Sequence, residues 1–311
     1  MTAAVAARVR ARDTCVVHDL APDASGMAGR GRAGLATLAA VTLGRTRHLY
    51  AAVLAGRGTW AVTALALAAR MRGVPVTLHH HSFAYLDRRW TRMAALIRAG
   101  GPSARHVTLC PGMAHRLRDR YGAREVSVVP NAAFVEPGHP GPTSAARRCL
   151  GFVGAVSRAK GAVAFSELAR RLRATHTAVA AGPLVDPAAL SEAVAHRPPS
   201  ADPGTLFAGM DVVCLPSRYA HEAQPLVVLE ALARGIPVIA LGRGCLPGMA
   251  APPGLTVLPP GTAFAPAAAR VLARLPEDAG AHARSRYERW ADAAEPAAEA
   301  LVTSLTQSTS A

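Results

Sequence analysis

The chain has 311 residues, half of them apolar, and a formal net charge of +15. This length suffices for two domains of ordinary size, each with its own core. No uncharged apolar run reaches the roughly 20 residues that cross a bilayer, and the arginines are spread along the chain without a nucleic-acid motif. The composition therefore argues against a membrane-spanning helix and a nucleic-acid partner, and it favours anionic partners, such as nucleotide diphosphates or acidic membrane lipids.

The five cysteines lie far apart and never form a Cys-x-x-Cys pair, so we expect no structural zinc site. No sustained apolar segment follows the N-terminal arginines, and a secretory signal is therefore not expected. These features predict a reducing, cytoplasmic location. The chain has a single lysine, Lys160, among its many arginines, which indicates a position where a compact point charge matters.

The N-terminal residues give the weakest pattern. A strand is predicted from Thr14 to His18, a glycine-rich loop from Asp23 to Arg32, and an alanine-rich helix from about Gly34 to Leu43. The glycines of the loop do not match the spacing of a dinucleotide-binding fingerprint. A plain loop is the first interpretation, and a backbone that approaches a phosphate or an acceptor is the alternative.

A strand is predicted from His48 to Leu54, a helix from Trp60 to Met71, and a second strand from Pro75 to Leu78. The second strand runs into four polar residues, His79, His80, His81 and Ser82. Side chains alternate along a strand, so His79 and His81 point one way and His80 the other. We therefore expect no metal site made of three histidines.

The segment from Arg88 to Gly100 has the pattern of a basic amphipathic helix. Trp90, Met93 and Ile97 share one side, and arginines occupy most of the remainder. A surface helix that covers the first sheet is the favoured interpretation. The alternative is a peripheral contact with a membrane or a lipid-linked acceptor through the basic segment Arg88 to Arg98, at the inner membrane face.

A stretch rich in proline and glycine, from Glu136 to Ser144, interrupts the alternation of strands and helices and predicts an interdomain linker. Before it we predict strands from Val107 to Cys110 and from Val126 to Val129, with a helix from Met113 to Tyr121 between them. The predicted organisation is an N-terminal domain (1–136), a linker (137–146), a C-terminal domain (147–284), a helix that returns to the first domain (285–305) and a disordered tail (306–311).

The second domain is predicted to open with a strand from Cys149 to Val153, a glycine-bounded loop from Gly154 to Gly161, and a helix from Ala162 to Arg173. The stretch from Asp211 to Leu241 then gives the most informative pattern. It has two short apolar runs suited to buried parallel strands, from Asp211 to Leu215 and from Pro237 to Leu241. Pro225 between them is placed to open a helix at its first position.

A helix that follows a buried strand points its free N–H groups at the carboxyl edge of the sheet, where open α/β folds bind ligands. That end is a ready site for a phosphate. Glu222, just before this helix, can accept hydrogen bonds from hydroxyls of a group attached to the phosphate. Glu230 lies inside the helix among apolar neighbours, so its carboxylate needs a partner or a cleft. The alternative for Glu230 is a weak surface ion pair with Arg234, four residues further on.

The spacing Glu-x7-Glu, with a Pro-Ser turn before it and Gly-x-Pro-Val after it, closely resembles the donor-binding motif of retaining glycosyltransferases of family 4. The resemblance implies the α/β GT-B architecture, in which two Rossmann-like domains face each other across a cleft; the first is shortened here. It also implies a nucleotide-diphosphate sugar as donor, with no cofactor and no metal ion. Glu222 would contact the donor sugar and Glu230 the ribose hydroxyls.

Two further segments carry the resemblance. The run GAVSRAKG from Gly154 is similar to the family's Gly-Arg-x4-Lys-Gly, whose arginine and lysine clamp the diphosphate; Lys160 is present, Ala155 replaces the arginine, and Arg158 is the candidate substitute. The family's active-site histidine falls on His81, with His80 as second choice. The implied site residues are His81 and Glu222 for catalysis, Gly154, Arg158, Lys160, Ala223, Gln224, Leu226 and Glu230 for the donor, and His80, Ser82 and Phe83 on the acceptor or sugar side.

The resemblance thus predicts a retaining glycosyltransferase that moves a sugar to a hydroxyl of a glycan, a lipid-linked acceptor or a small molecule. Two alternatives remain open. One is a catalytically silent GT-B scaffold or partner protein, prompted by Ala155 and the short first domain. The other is a GT-B epimerase that acts on a nucleotide sugar.

Overall fold

The computed structural model describes residues 2–17, 26–44, 46–53, 55–56, 58–138 and 148–307. The chain divides into two compact units, one formed by Met1–Pro130 with Ala294–Ala311 and the other by Asn131–Ala293. Most of the predicted linker and of the predicted disordered tail lies outside the described residues. Within the described ranges, no helix combines the length and the apolar character that crossing a bilayer requires.

The first unit is built on a parallel sheet of four strands in the order β1-β2-β3-β4. Parallel neighbours need crossover connections, and helices provide them here. The strands are β1 (Leu49–Val53), β2 (Val76–His80), β3 (Arg105–Thr108) and β4 (Glu125–Val128). The helices are α1 (Thr2–Arg10), α2 (Gly26–Thr42), α3 (Thr59–Met71), α4 (Ala84–Asp87), α5 (Thr91–Gly100) and α6 (Pro111–Tyr121).

The second unit is built on a parallel sheet of six strands in the order β10-β9-β8-β5-β6-β7. The strands are β5 (Arg148–Val153), β6 (His176–Ala181), β7 (Ala195–Arg197), β8 (Val212–Leu215), β9 (Val238–Leu241) and β10 (Leu255–Leu258). The helices are α7 (Ala162–Leu172), α8 (Pro203–Phe207), α9 (Leu226–Ala233), α10 (Phe264–Leu272) and α11 (Ala279–Thr306). Helix α11 continues from this unit into residues assigned to the first.

The core of the second unit lies on both faces of its sheet. Leu150 and Phe152 of β5 belong to one buried cluster, whereas Val153 belongs to the other. Side chains alternate between the faces of a strand, and a parallel sheet covered on both faces therefore has apolar residues throughout its strands. This is why the runs at residues 149–153, 211–215 and 237–241 predicted strands correctly.

The predicted amphipathic helix begins later than expected, at Thr91. Its Met93, Leu96 and Ile97 are buried, and the helix packs against α3 of the first unit. The apolar side of α5 is therefore buried by packing within the first unit.

Two N-terminal predictions are wrong. Residues 14–17 of the predicted strand have no regular structure, and His18 lies outside the described residues. The predicted glycine-rich loop is helical from Gly26 onward, as part of α2. Glycine disfavours a helix by only about 1 kcal/mol relative to alanine, so a helix with several alanines can include it.

Helix α1 was not predicted, because its stability comes from residues far away in the sequence. Arg8 Nη1 lies 2.7 Å from Glu295 Oε1, and Arg12 Nη2 lies 2.6 Å from Glu299 Oε2. Both glutamates belong to α11. A nine-residue helix is marginal by itself, and tertiary contacts of this kind provide what local propensity does not.

Gly161 determines how closely two loops of the second unit approach. Its φ is +93°, and an added Cβ would lie 2.3 Å from the carbonyl oxygen of Pro216. We expect Gly161→Ala to lower the free energy of unfolding by at least ~2 kcal/mol, because backbone strain and a steric clash add together. Chemical denaturation measures this quantity.

Gly248→Ala is the matched control, because no heavy atom lies within 4 Å of the Cβ it would add. We expect a change within ~0.5 kcal/mol for this variant. Equal unfolding free energies for the two variants would contradict the close approach of the loops at Gly161.

Candidate functional site

Chain order reverses in the second sheet between β5 and β8, which makes this a topological switch point. The loop after β5, residues 154–161, and the loop after β8, residues 216–225, both start at the carboxyl edge of the sheet. Open α/β sheets bind ligands at such a point. Of the predicted site residues, Gly154, Arg158 and Lys160 lie in the first loop, and Glu222, Ala223 and Gln224 lie in the second.

An ion pair joins the two loops. Lys160 Nζ lies 2.9 Å from Glu222 Oε2, and the Ser217 hydroxyl donates to the same oxygen at 2.8 Å. The Glu222 side chain is only 10% exposed, so water screens this pair less than it screens an open surface pair. The structure thus brings together the two predicted residues with the clearest chemical roles.

The loop after β9 supports the Glu222 loop from its other side. Cys245 N donates to Ala223 O at 2.8 Å. Gly244 has a φ of +57°, and a Cβ there would lie 2.2 Å from Ala223 O and 2.6 Å from Glu222 O. Only glycine permits this approach, and the backbone at Glu222 and Ala223 is therefore fixed by contact with a neighbouring loop.

Helix α9 begins at Leu226, directly after this loop, and no side chain caps its first N–H groups. Pro225 stands at the position just before the helix, rather than at its first position as predicted. Leu226 is partly exposed at the helix start. An uncapped helix N-terminus attracts an anion, with a contribution of roughly 0.3–2 kcal/mol.

Gln224, predicted as a donor contact, is engaged within its own unit. Its Oε1 accepts from Asn131 N at 2.6 Å, and its backbone oxygen accepts from Asn131 Nδ2 at 2.9 Å. Its Nε2 donates to Met249 Sδ at 3.5 Å. These contacts connect the Glu222 loop to the short 3-10 turn Asn131–Phe134, and they give the buried amide a structural role.

Glu230 does not form the surface ion pair that was its alternative interpretation. Arg234 donates from Nη1 to the backbone oxygen of Glu230 at 3.0 Å, not to the carboxylate, and its guanidinium lies over the Phe207 ring. No cation in the described residues lies within 4.0 Å of the carboxylate. Burial raises the pKa of Glu230, and the charge of Arg234 opposes this shift. A half-buried carboxylate without a partner is typical of a binding site.

The cations near the switch point differ in what they contact. Arg158, the predicted substitute for the missing arginine at Ala155, has its Nε 3.5 Å from Asp186 Oδ2 and is 70% exposed. Arg218 and Arg243 instead line a depression at the carboxyl edge with Ser217, Gly242 and Gly261. Arg243 Nη2 donates to the backbone oxygen of Arg218 at 2.9 Å, and neither guanidinium has a carboxylate within 4.0 Å in the described part of the chain.

The sequence analysis did not select Arg218 or Arg243 as site residues. The available signal was an arginine between two glycines directly after a predicted buried strand, as in Gly242, Arg243 and Gly244. Such a position lies at the carboxyl edge of the sheet, where a cation meets an anionic ligand.

The three consecutive histidines lie in the first unit, at the end of β2. The rings of His79 and His81 stack with their centres 4.1 Å apart, which agrees with the predicted alternation of faces. The Tyr50 hydroxyl lies 2.5 Å from His79 Nδ1, and the Nε2 atoms of His79 and His81 are buried without a hydrogen-bond partner among the described residues. Those residues contain no group of three or more histidine, cysteine or acidic side chains suited to a metal ion.

His80 lies on the opposite face and has both ring nitrogens engaged. Its Nδ1 lies 3.0 Å from the Tyr85 hydroxyl, and its Nε2 lies 3.1 Å from His106 Nδ1. His80 is fully buried, so its hydrogen bonds support the fold. Of the two histidines proposed for the active site, His81 is the one with a free ring nitrogen.

The two remaining acceptor-side candidates are buried close to His81. Ser82 Oγ accepts from Ala84 N at 3.2 Å, at the start of α4. Phe83 has the Arg116 guanidinium over its ring, 5.3 Å from the ring centre. Both residues thus help to position the segment that follows β2.

The sequence profile of the family described as "Glycosyl transferases group 1" matches residues 147–274, the greater part of the second unit. A comparison with curated protein sequences gave no significant match. The profile match contains all the second-unit site residues discussed above, from Gly154 to Glu230.

Several solved structures share the fold at low sequence identity. HepE of Anabaena in complex with UDP-glucose has 15% identity and a TM-score of 0.67, over 87% of this chain and 81% of HepE. Sucrose-phosphate synthase from Thermosynechococcus elongatus has 18% identity and a TM-score of 0.63, over 83% of this chain and 73% of that one. The lipopolysaccharide outer core galactosyltransferase WaaB has 16% identity and a TM-score of 0.61, over 89% of this chain and 81% of WaaB.

These likenesses, together with the two parallel sheets, define the GT-B fold, with two Rossmann-like units. The predicted fold class is confirmed in that respect. The second unit matches a glycosyltransferase family profile, and it carries the Lys160–Glu222 pair at its switch point.

Buried histidines make the first unit sensitive to acid. Burial lowers the pKa of His48, His81 and His106 from 6.5 to about 4, and the charge of Arg105 adds to the effect at His48. The unfolded chain binds protons first, so stability is complete above pH 6.5 and is lost as the pH falls toward 4. Each of these histidines should remove on the order of 2 kcal/mol of unfolding free energy at pH 5.

Urea unfolding, followed between pH 7.5 and pH 5, measures this loss. His48→Gln should reduce the pH dependence, because it removes one of the titrating groups. The exposed His115 provides the control His115→Gln, which should leave the pH dependence as in the parent protein. A free energy of unfolding that stays constant over this range would contradict the burial of neutral histidines.

Proposed function

We propose that the protein is a retaining glycosyltransferase that moves a sugar from a nucleotide-diphosphate sugar to an acceptor hydroxyl. The observation that carries the proposal is the Lys160–Glu222 pair, 2.9 Å apart at the switch point of the second sheet. It adjoins the uncapped start of α9 and lies inside the segment that matches the glycosyltransferase profile. The HepE structures bound to UDP-glucose and to UDP support a nucleotide-sugar donor by analogy.

The donor phosphates are assigned to Lys160 and to the first N–H groups of α9. A helix terminus alone contributes roughly 0.3–2 kcal/mol, so several contacts must act together. Lys160 already pairs with Glu222, and a phosphate oxygen must therefore take the place of the Glu222 carboxylate beside Nζ. Glu222 then becomes available to accept a hydrogen bond from a sugar hydroxyl, while Ser217 continues to donate to it.

Glu230 is assigned to the ribose hydroxyls. Its carboxylate is partly buried and lacks a partner among the described residues, and two adjacent hydroxyls can donate one hydrogen bond to each of its oxygens. This binding satisfies a group whose charge is costly to leave unpaired in a shielded position.

In the proposed reaction, the bond between the anomeric carbon and the donor phosphate oxygen breaks. The acceptor oxygen bonds to that carbon on the same face, and its proton passes to the departing diphosphate. His81 keeps its predicted catalytic role in the first unit, where its Nε2 has no hydrogen-bond partner among the described residues. The proposal assigns no metal ion and no cofactor to the reaction.

A panel of nucleoside diphosphates and their sugars tests donor binding directly. A ligand present at a hundredfold its dissociation constant adds about 2.7 kcal/mol of stability, which a thermal-shift assay detects. Donor binding without transfer or hydrolysis would favour the silent scaffold that Ala155 prompts. Conversion of the nucleotide sugar to its epimer, with no acceptor present, would favour the epimerase.

The two glutamates should separate in their effects. Glu230→Ala should raise the dissociation constant of the nucleoside diphosphate at least tenfold, because charged hydrogen bonds of roughly 1.5–3 kcal/mol are lost. Glu222→Ala should mainly lower kcat, because its proposed contact is with the transferred sugar. Calorimetric titration and steady-state kinetics measure the two effects.

Glu230→Ala should also keep or raise the free energy of unfolding, since burial raises the pKa of this carboxylate and its charge opposes folding at neutral pH. The exposed Glu277 provides the control Glu277→Ala, for which binding and turnover should be unchanged. Wild-type kinetics and affinity in both site variants would show that the assignment is wrong.

Arg243 is proposed as the second cationic contact of the donor phosphates, in place of the expected Arg158. Arg158 is exposed and pairs with Asp186, whereas Arg243 lies in the loop that packs against Glu222 and has no carboxylate partner among the described residues. Arg243→Gln should weaken nucleoside diphosphate binding by roughly tenfold or more. Arg158→Gln, which removes the same charge, should change it less than threefold.

Calorimetric titrations of nucleoside diphosphate and of the corresponding nucleoside measure the difference. The nucleoside should bind the Arg243 variant and the parent protein equally, because it lacks the phosphates. If Arg158→Gln weakened nucleoside diphosphate binding more than Arg243→Gln did, Arg158 would be the second cationic contact, as the sequence predicted.

A further inference from the structure

A second strongly charged depression lies entirely within the first unit, and the proposed sugar transfer does not use it. Six of its lining residues matter here: Arg70, Arg89, Arg98, Arg124, His106 and Tyr121. We call it the arginine depression. It lies where α3, α5 and α6 end, with Arg70 and Arg98 in the last turns of α3 and α5.

The four arginines of this depression lack acidic partners. No carboxylate in the described residues lies within 4.0 Å of any of them. At least one such carboxylate lies near each of Arg8, Arg12, Arg47, Arg116 and Arg158. Arg70 donates to Arg98 O at 3.1 Å, and Arg89 donates to Arg120 O at 3.2 Å. A guanidinium has five N–H donors, so most donors around the depression remain available to a ligand.

A simpler role for these arginines is to stabilise helix C-termini, and charge arithmetic shows that this role accounts for only part of them. Each helix C-terminus carries about −0.5 elementary charge, so the three helices supply roughly −1.5. Four guanidinium groups supply considerably more positive charge than that. The remaining excess, on the order of two charges, matches a phosphate group or a diphosphate.

The depression also has a polar floor. His106 lines it and is only 1% exposed. Its Nδ1 is used by His80, at 3.1 Å, so the Nε2 atom is the ring nitrogen left for a ligand. Burial lowers the pKa of His106 to about 4, and the ring is therefore neutral at pH 7, with one N–H and one acceptor nitrogen.

A bound anion would determine which atoms donate and which accept in the hydrogen bonds that link His106, His80 and Tyr85. If Nε2 of His106 donates to an anion, its Nδ1 must accept from Nε2 of His80, and Nδ1 of His80 must accept from the Tyr85 hydroxyl, 3.0 Å away. Tyr121, which also lines the depression, donates to the backbone oxygen of Tyr85 at 2.6 Å. A bound anion would therefore fix the tautomers of two buried histidines, His106 and His80.

We propose that the arginine depression binds a phosphate-bearing ligand, with guanidinium groups on its oxygens and His106 Nε2 as a donor from below. A phosphate monoester or diphosphate has the tetrahedral oxygens that pair with arginine through charge-assisted hydrogen bonds. The same chemistry belongs to a free phosphate compound and to a phosphate headgroup of a lipid. The site lies within the first unit, so it is independent of the donor site.

Nitrogen NMR of the full chain with 15N-labelled histidine tests the proposal, with inorganic pyrophosphate as the probe. His106 and His80 both lie in the first unit, so their signals report on the arginine depression and not on the proposed donor site. Pyrophosphate should fix the tautomers of His106 and His80, with the proton of His106 on Nε2. The double variant Arg98→Gln/Arg124→Gln should weaken this response at least tenfold.

The charge-matched control is Arg171→Gln/Arg274→Gln, at two exposed arginines of the second unit, and it should respond as the parent protein does. Tautomers that pyrophosphate leaves unchanged, or equal responses of the double variant and its control, would overturn the proposal. If the parent protein does not bind nucleoside diphosphate at all, the donor-site proposal fails, and the histidine response to pyrophosphate still decides this one.

Vesicles of phosphatidylcholine, with and without phosphatidic acid, distinguish the two sources of phosphate. Sedimentation with phosphatidic acid that the double variant loses and its control retains supports a lipid headgroup. Response to pyrophosphate without sedimentation supports a free phosphate compound. Loss of sedimentation in both charge variants, together with an unchanged tautomer state, reflects general charge attraction and counts against the site.

Discussion

The candidate site depends on one interaction, the ion pair between Lys160 and Glu222, which holds together two loops that leave the sheet on either side of its switch point. The pair is possible because the backbones behind it approach so closely. A Cβ on Gly161 would clash with the carbonyl of Pro216, and one on Gly244 would clash with those of Glu222 and Ala223. The site is therefore built on rigid backbone contacts, which is how a fold positions polar groups with the accuracy that binding requires.

The sequence predicted most of the second unit because buried parallel strands leave uninterrupted apolar runs, and because the spacing between Glu222 and Glu230 is local information. It did not predict contacts that form between distant segments. Helix α1 depends on Glu295 and Glu299. Gln224 was predicted as a donor contact, whereas in the structure it forms hydrogen bonds with Asn131. Arg243 was missed because the sequence alone does not show which loops become neighbours.

The two units differ in how many polar side chains they bury in their cores. The first unit buries histidines that stay neutral because burial lowers their pKa, and it connects some of them to tyrosines through hydrogen bonds. The second unit has almost entirely apolar sheet faces and places its charges in loops at the carboxyl edge. Acid should therefore affect the first unit before the second, since neutral imidazole is the form that its core accommodates.

Lys160 is the only lysine in the chain, and it lies against Glu222 with 28% of its side chain exposed. An acylating reagent that is selective for amines thus finds one ε-amino group, and that group is in the candidate site. A fluorophore or crosslinker attached through this amine would report on a defined position without any cysteine engineering, and a bound anion would shield the amine from the reagent. The arginine-rich composition thus leaves Lys160 as the one lysine side chain open to such labelling, beside the α-amino terminus that every chain has.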